Sequence, residues 1–365
     1  MSGPRIVIVG GFGNFGARIS RRLSQEPAIE VVATGRQARN HAPGGVGSAR
    51  LDIDSLSLAR ELAALKPDIV IHCAGPYQGQ GYRMAEATLA CGAHYLDLAD
   101  GRAFVAGFAK TLDQRARAAN RAAVTGASTL PGLSSAVVDQ LKTTFIRLET
   151  IDVVIAPGQH APRGTATTAA VLGYAGQAFP WWINGRWQRA YGWQELIRVR
   201  FPFGMRWAAA CDVPDLELFP EHYAGVRTVT FRAALEVSLQ HFVLWSLAGL
   251  RRLGLPLPLS RWAVGINRMG GWLDRFGTDC GGMRVDVVGE MHEGGHQRRS
   301  WQLTAPGNHG PEIPCMAAVL LALKLARGES IPIGAYPCLG LLELAEFESE
   351  FARWAMKTRV ETSDP

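Results

Sequence analysis

The residues best placed to do chemistry in this 365-residue chain start at Gly11-Phe12-Gly13-Asn14-Phe15-Gly16. Their spacing is G-x-G-x-x-G. The motif directly follows the apolar run Arg5-Ile6-Val7-Ile8-Val9 and directly opens a helical pattern, the context that gives such a loop its weight. Gly11 is expected to make the tight turn. Gly13 removes a Cβ where the backbone would meet a pyrophosphate, and Gly16 lets helix and strand close up. The helix start adds unpaired N–H groups and the positive end of its dipole. Phe12, Asn14 and Phe15 belong to the same loop, and all six residues are expected to hold a dinucleotide.

The end of the second strand reads Thr34-Gly35-Arg36, with Arg39 close behind. A carboxylate there would take a ribose 2′-hydroxyl; a guanidinium suits a 2′-phosphate instead. NADP(H) is therefore the expected cofactor. Asp52 and Ile53 are expected beside the adenine. Ala74, Gly75 and Pro76, just after the fourth strand, are small or stiff enough to run under the cofactor ribose.

Hydride transfer then needs a proton donor at the strand ends. Tyr77 and Asp97 are the catalytic candidates, with Asp100 beside Asp97; His94 starts its strand and so falls at the other end. Arg163-Gly164-Thr165 reads as a helix start, Thr165 its cap, whose amides could receive an anionic group. His292 and His296 flank a hairpin turn without carboxylate or cysteine partners in order, so no metal is expected. There is no H-E-x-x-H, Walker loop or G-x-S-x-G. No tyrosine is followed four residues later by lysine, which argues against the short-chain dehydrogenases.

The elements that must position these groups come in two styles. Strands are expected at 5–9, 30–34, 49–53, 68–73, 94–98 and 122–125, with helices at 17–23, 56–65, 82–91 and 108–120. Near-continuous apolar strands between amphipathic helices predict a doubly wound parallel sheet covered on both faces. After Pro131-Gly132 the strands lengthen and alternate, at 149–156, 226–237, 283–290 and 298–304, the last two joined at Glu293-Gly294-Gly295. A helix is expected at 137–141, and helical stretches with most of the tryptophans between the long strands. A strong helix covers 313–327. The fold class is thus α/β, an N-terminal Rossmann sheet followed by an α+β domain on a mostly antiparallel sheet. The domains are 1–130 for the nucleotide, 131–310 for substrate and dimerisation, and 311–365 as a helical segment packing back on the first.

Composition bounds the rest. Hydrophobic residues make up 47% and charged residues 19%, ordinary for a folded enzyme. The net charge of +6 comes from scattered arginines without interleaved aromatics, so no nucleic-acid partner is expected. Cys73, Cys91, Cys211, Cys280, Cys315 and Cys338 form no CxxC pair, which fits free thiols in a reducing cytoplasm. No leader is read at the N-terminus, and the apolar stretch 242–250, stopped by Arg251-Arg252, is too short to span a bilayer. It leaves weak membrane-surface association open.

Taken together, the glycine loop, Thr-Gly-Arg at 34–36, Cys-Ala-Gly-Pro-Tyr at 73–77, Cys-Gly-Ala-His-Tyr-Leu-Asp-Leu at 91–98 and Thr-Gly-Ala-Ser-Thr-Leu-Pro-Gly-Leu-Ser-Ser at 125–135 resemble the saccharopine dehydrogenase-like oxidoreductases, especially the branch with trans-acting enoyl reductases. The resemblance covers about residues 5–140 and continues weakly near Gly164-Thr165 and at 310–315. It implies an NADP-binding Rossmann domain, an α+β second domain, and hydride transfer to or from a C=O, C=N or activated C=C substrate bound between them. It does not supply the basic residues that a multi-carboxylate substrate needs. The tryptophans of the second domain point instead to a bulky, apolar small molecule or to packing. A homodimer is an expected assembly, and a non-catalytic NADP(H) sensor is the alternative reading.

Overall fold

The computed structural model describes residues 3–39, 41–162 and 164–365. The chain divides into two compact units, one made of Met1–Leu133 with Pro311–Leu342, the other of Ser134–Gly310 with Glu343–Pro365.

The first unit opens with β1 (Arg5–Val9), α1 (Asn14–Leu23), β2 (Glu30–Gly35), β3 (Gly47–Arg50), α2 (Leu58–Ala64), β4 (Ile69–His72), α3 (Arg83–Ala90), β5 (His94–Asp97), α4 (Arg102–Ala118) and β6 (Ala122–Thr125). The third strand begins and ends earlier than expected. Helix α4 starts six residues sooner, because Gly101 in extended conformation already turns Phe104 and Val105 onto the buried face shared with Phe108, Leu112 and Ala116. Gly92, just past α3, has φ +70°, a conformation glycine adopts without strain.

The second unit runs α5 (Ser134–Lys142), β7 (Phe145–Ala156), α6 (Thr165–Tyr174), β8 (Ala178–Ile183), β9 (Arg186–Tyr191), β10 (Ile197–Phe201), β11 (Gly204–Ala210), α7 (Asp215–His222), β12 (Thr228–Ala234), α8 (Ser238–Arg252), α9 (Ala263–Trp272), β13 (Gly281–Met291) and β14 (His296–Ala305). The chain returns to the first unit with α10 (Ile313–Ala326) and β15 (Gly334–Pro337). It ends in the second with α11 (Leu344–Arg353) and β16 (Lys357–Ser363). Residues 343–365 therefore group with the second unit, not with the returning segment where the sequence pattern put them.

Among the described residues the first sheet has seven parallel strands in the order β15-β6-β5-β4-β1-β2-β3. Ile6, Val7, Ile8 and Val9 are all buried, as a strand covered on both faces requires. Helix α10 is buried on nearly every side, and its Ala317 comes so close to Gly132 that a Cβ there would sit 2.9 Å from the alanine methyl. This is the doubly wound Rossmann arrangement, with its switch point where β1 separates β2 from β4.

The second sheet is mixed, in the order β10-β11-β12-β7-β13-β14-β16, with β8 and β9 attached through β12. Only β12 and β7 run parallel among its described pairs. Ile151, Val153, Val285, Val287, Trp301 and Leu303 are buried, and α5 packs on this sheet while the Phe351 ring of α11 lies 6.3 Å from Trp301. The tryptophan-rich segment is a correction to the sequence reading. Trp181, Trp182, Trp187 and Trp207 stand on strands, two hairpins in place of helical stretches. Asn184 and Gly185 both have positive φ and close the first hairpin, the signature of a tight two-residue turn.

Candidate functional site

The loop after β1 closes on itself through glycine. Gly10 has φ +77°, so it, and not Gly11, is the residue that makes the turn. Its carbonyl accepts the Gly13 N–H at 2.9 Å. Gly11 is required for a different reason: a Cβ there would stand 2.7 Å from that of Ala33 on β2. Gly16 allows the closest approach, since its Cβ would lie 2.3 Å from the Gly10 carbonyl oxygen. Gly13 caps α1 with extended backbone and no side-chain hydrogen bond, and it is exposed. The first turn of α1 carries no acidic side chain either. An uncapped helix start behind a Cβ-free turn fits a pyrophosphate.

The loop is braced from the far end of the unit. Arg18 donates to the Asn14 side chain at 2.6 Å and to its carbonyl at 2.8 Å. The Arg18 Nε in turn pairs with Glu312 at 3.0 Å, both groups being largely buried. Cys315 Sγ lies 3.6 Å from the Phe15 carbonyl oxygen.

At the end of β2, Phe12 lies against Gly35, where a Cβ would come within 2.9 Å of the ring. The Arg39 guanidinium sits over the same ring at 5.2 Å. Arg36 is exposed, and its carbonyl accepts from Arg50 Nε at 3.3 Å. Arg50 faces Gly35 in register across β2 and β3. Three arginines thus share this edge, a set well matched to a phosphate. Asp52 is half-buried just beyond β3 and uses one oxygen to accept the Asp54 N–H at 3.1 Å; Ile53 follows it, half-buried.

The loop after β4 meets the glycine turn. A Cβ on Gly10 would be 3.1 Å from the Ala74 nitrogen. Gln80 straps this loop by donating to the carbonyls of Ala74 at 2.9 Å and Pro76 at 2.7 Å. Gly75 and Pro76 are exposed. So the loop residues 11–16, Arg36 and Ala74–Gly75 gather around the carboxyl ends of β1, β2 and β4, with Asp52 and Ile53 beyond β3.

Tyr77 and Asp97 lie together but are both committed to the scaffold. The Tyr77 hydroxyl donates to the His72 carbonyl at 2.6 Å, and the Leu98 N–H reaches it at 3.4 Å, bracing β4 to β5. Burial pushes its phenol well above the usual range, with the Asp97 charge adding to the effect. Asp97 is fully buried and accepts from Thr125 Oγ1 at 2.9 Å, Gly126 N at 2.8 Å and Ala99 N at 2.9 Å. Burial raises its carboxyl to about 6 despite those donors. His72 Nδ1 lies 3.0 Å from the Tyr95 hydroxyl, and burial drops its imidazole to about 4. Asp100 takes only a long bond from Gln78, at 3.4 Å. His94 accepts the Ala122 N–H at 3.1 Å at the amino end of the sheet, away from this cluster.

Arg163 lies outside the described residues. Gly164 caps α6 without a side-chain bond, and Thr165 is the first helical residue instead of the cap. His296 sits 3.4 Å from Glu149, and among the described residues no group of three or more His, Cys, Asp or Glu could hold a metal. The sequence reading missed Gly10, Arg50 and the Arg18–Glu312 pair. Gly10 was visible as the extra glycine before the motif; Arg50 needed the strand register.

Residues 6–130 match the family described as Saccharopine dehydrogenase NADP binding domain. None of the curated proteins matches the sequence. Among solved structures, the chain is similar to apo saccharopine dehydrogenase (L-Glu forming) from Saccharomyces cerevisiae, at 12% identity, over 99% of this chain and 100% of that one, with a TM-score of 0.70. It is also similar to an engineered D-amino acid dehydrogenase bound to NADP+, at 14% identity over 95% and 99% of the two chains, TM-score 0.49. A meso-DAPDH mutant from Clostridium tetani follows, at 15% identity over 96% and 98%, TM-score 0.46. The first unit thus matches a saccharopine dehydrogenase NADP-binding domain, and the chain shares the saccharopine dehydrogenase fold along its length.

Proposed function

We propose that the chain is an NADP(H)-dependent oxidoreductase that transfers hydride to or from a C=O, C=N or activated C=C bond of a small molecule. The observation that carries this is the uncapped start of α1 behind the Gly10–Gly16 turn, beside the arginines gathered at the carboxyl end of β2. NADPH, when bound, supplies the hydride. The chain's own part is to hold it. The α1 N–H groups face the pyrophosphate, and Arg36, with Arg39 and Arg50, receives the 2′-phosphate. Asp52 and Ile53 flank the adenine, and Ala74, Gly75 and Pro76 leave room for ribose. The trans-acting enoyl reductase resemblance favours an activated C=C among the three acceptors. The expected substrate is bulky and apolar, with no nucleic acid involved.

One observation favours a second reading, a non-catalytic NADP(H)-sensing protein. Of the side chains nominated for proton transfer, the Tyr77 hydroxyl and the Oδ1 of Asp97 are bonded to scaffold groups. Fluorescence titration with NADPH and NADH tests the shared core of both readings. NADPH is expected to bind at least tenfold more tightly, and Arg36→Glu is expected to erase that preference, since a charge-assisted pair contributes about 1.5–3 kcal/mol. Equal affinities in the native protein would end the NADP(H) assignment. NADPH consumption with a panel of imines, carbonyls and enoyl thioesters then separates enzyme from sensor.

A further inference from the structure

We propose that α8, α9 and the segment after them form a docking surface for an anionic lipid bilayer, laid flat on its interface. Of the eighteen exposed large hydrophobic side chains among the described residues, twelve fall between Leu239 and Phe276. Their spacing is ordered. On α8 and its C-cap, Phe242, Val243, Leu250 and Leu253 stand three, four, eleven and fourteen residues after Leu239, one stripe of a helix. That stripe faces solvent, the reverse of a surface helix in water. On α9, Val264, Arg268 and Trp272 stand four residues apart, and Trp272 is 70% exposed.

The two helices are held as a fixed platform. Gln240 donates to the Gly270 carbonyl at 3.3 Å, joining the start of α8 to the end of α9. Thr168 on α6 donates to Asn267 at 2.9 Å. Arg251 caps the last carbonyls of α6, donating to Gly173 at 2.8 Å and Ala175 at 3.0 Å. The exposed stripes are therefore presented, not left loose.

Charge selects the occupant. Residues 238–276 carry five arginines and a single carboxylate, Asp274. Arg252, Arg261, Arg268 and Arg275 are exposed. Leucine, phenylalanine and tryptophan on one face, with arginines among them, is the composition of a helix lying in the headgroup boundary. A second copy of the chain is the poorer match, because a two-fold contact sets a patch against itself and would bring these arginines face to face. No helix among the described residues is long and apolar enough to cross a membrane, so the contact is interfacial.

Flotation of the full chain with phosphatidylcholine–phosphatidylglycerol vesicles, and with phosphatidylcholine alone, tests this. The native protein is expected to float with the anionic vesicles only. Leu239→Ser/Trp272→Ser and Arg261→Gln/Arg268→Gln are each expected to weaken flotation by about tenfold or more, as each basic residue near such a surface contributes roughly fivefold. All these positions are exposed, and an unchanged far-UV circular dichroism spectrum and thermal unfolding profile show that the variants are folded. A native protein that stays in the bottom fraction overturns the proposal. So does equal flotation of the apolar variant, or a self-association by sedimentation that Leu239→Ser/Trp272→Ser abolishes.

Discussion

At Gly16 one methyl group decides whether the cofactor loop can close. A Cβ would meet the Gly10 carbonyl oxygen, a backbone atom that cannot turn aside. Gly16→Ala is expected to lose about 1–3 kcal/mol of stability by thermal unfolding, and most of its NADPH affinity with it. Glu312→Gln acts more gently. It removes the charge that holds Arg18, which in turn holds Asn14. About a fivefold weaker NADPH affinity is expected, with near-native Tm; unchanged affinity would show the pair to be packing alone. Asp97 gives a pH signature. Its folded-state carboxyl, raised to about 6 from 3.8, contributes stability below pH 3.8 that is lost as pH rises through 6. Asp97→Asn should therefore gain on the native protein as pH goes from about 4 to about 7, by up to about 3 kcal/mol. A difference that stays flat with pH, measured by denaturant unfolding, would count against this. The glycine spacing and the arginine at β2 were readable because they are local. The Glu312–Arg18 brace was not, since three hundred residues separate Phe15 from its contact Cys315.

Among the elements, α10 shows what the first sheet needs. It is apolar all round and buried, so it behaves as core and not as a surface helix. Leu321 is fully buried, and Leu321→Ala is expected to cost about 2–5 kcal/mol, read as a lower Tm. Short apolar strands such as β1 and β4 announced themselves, because a strand buried on both faces needs an unbroken apolar run. The hairpins β8–β9 and β10–β11 were harder. Their exposed arginines and buried apolar residues, as in Arg198-Val199-Arg200-Phe201, do alternate, but over five or six residues that rhythm competes with a helical reading. The Asn184-Gly185 pair was the usable signal. Strand β15 is four residues long and ends in Pro337; little in Gly334-Ala335-Tyr336-Pro337 says strand until β6 is beside it.

For the molecule as a whole, the division into two units predicts where a ligand is felt. At a hundredfold excess over its Kd, NADPH should add about 2.7 kcal/mol to the state that binds it. Hydrogen exchange should show the new protection within residues up to Leu133 and Pro311–Leu342, with Ser134–Gly310 little changed. Protection spread evenly along the chain would contradict a nucleotide site confined to the first unit.

The same division bears on birth of the protein. A ribosome delivers six strands of the parallel sheet early, then must make Ser134–Gly310 before α10 and β15 emerge. Through that interval the nascent sheet has an open rim at β6 and an uncovered oily face. Chaperone occupancy during translation should be concentrated there, and a stalled chain ending near residue 310 should be a target for proteolysis.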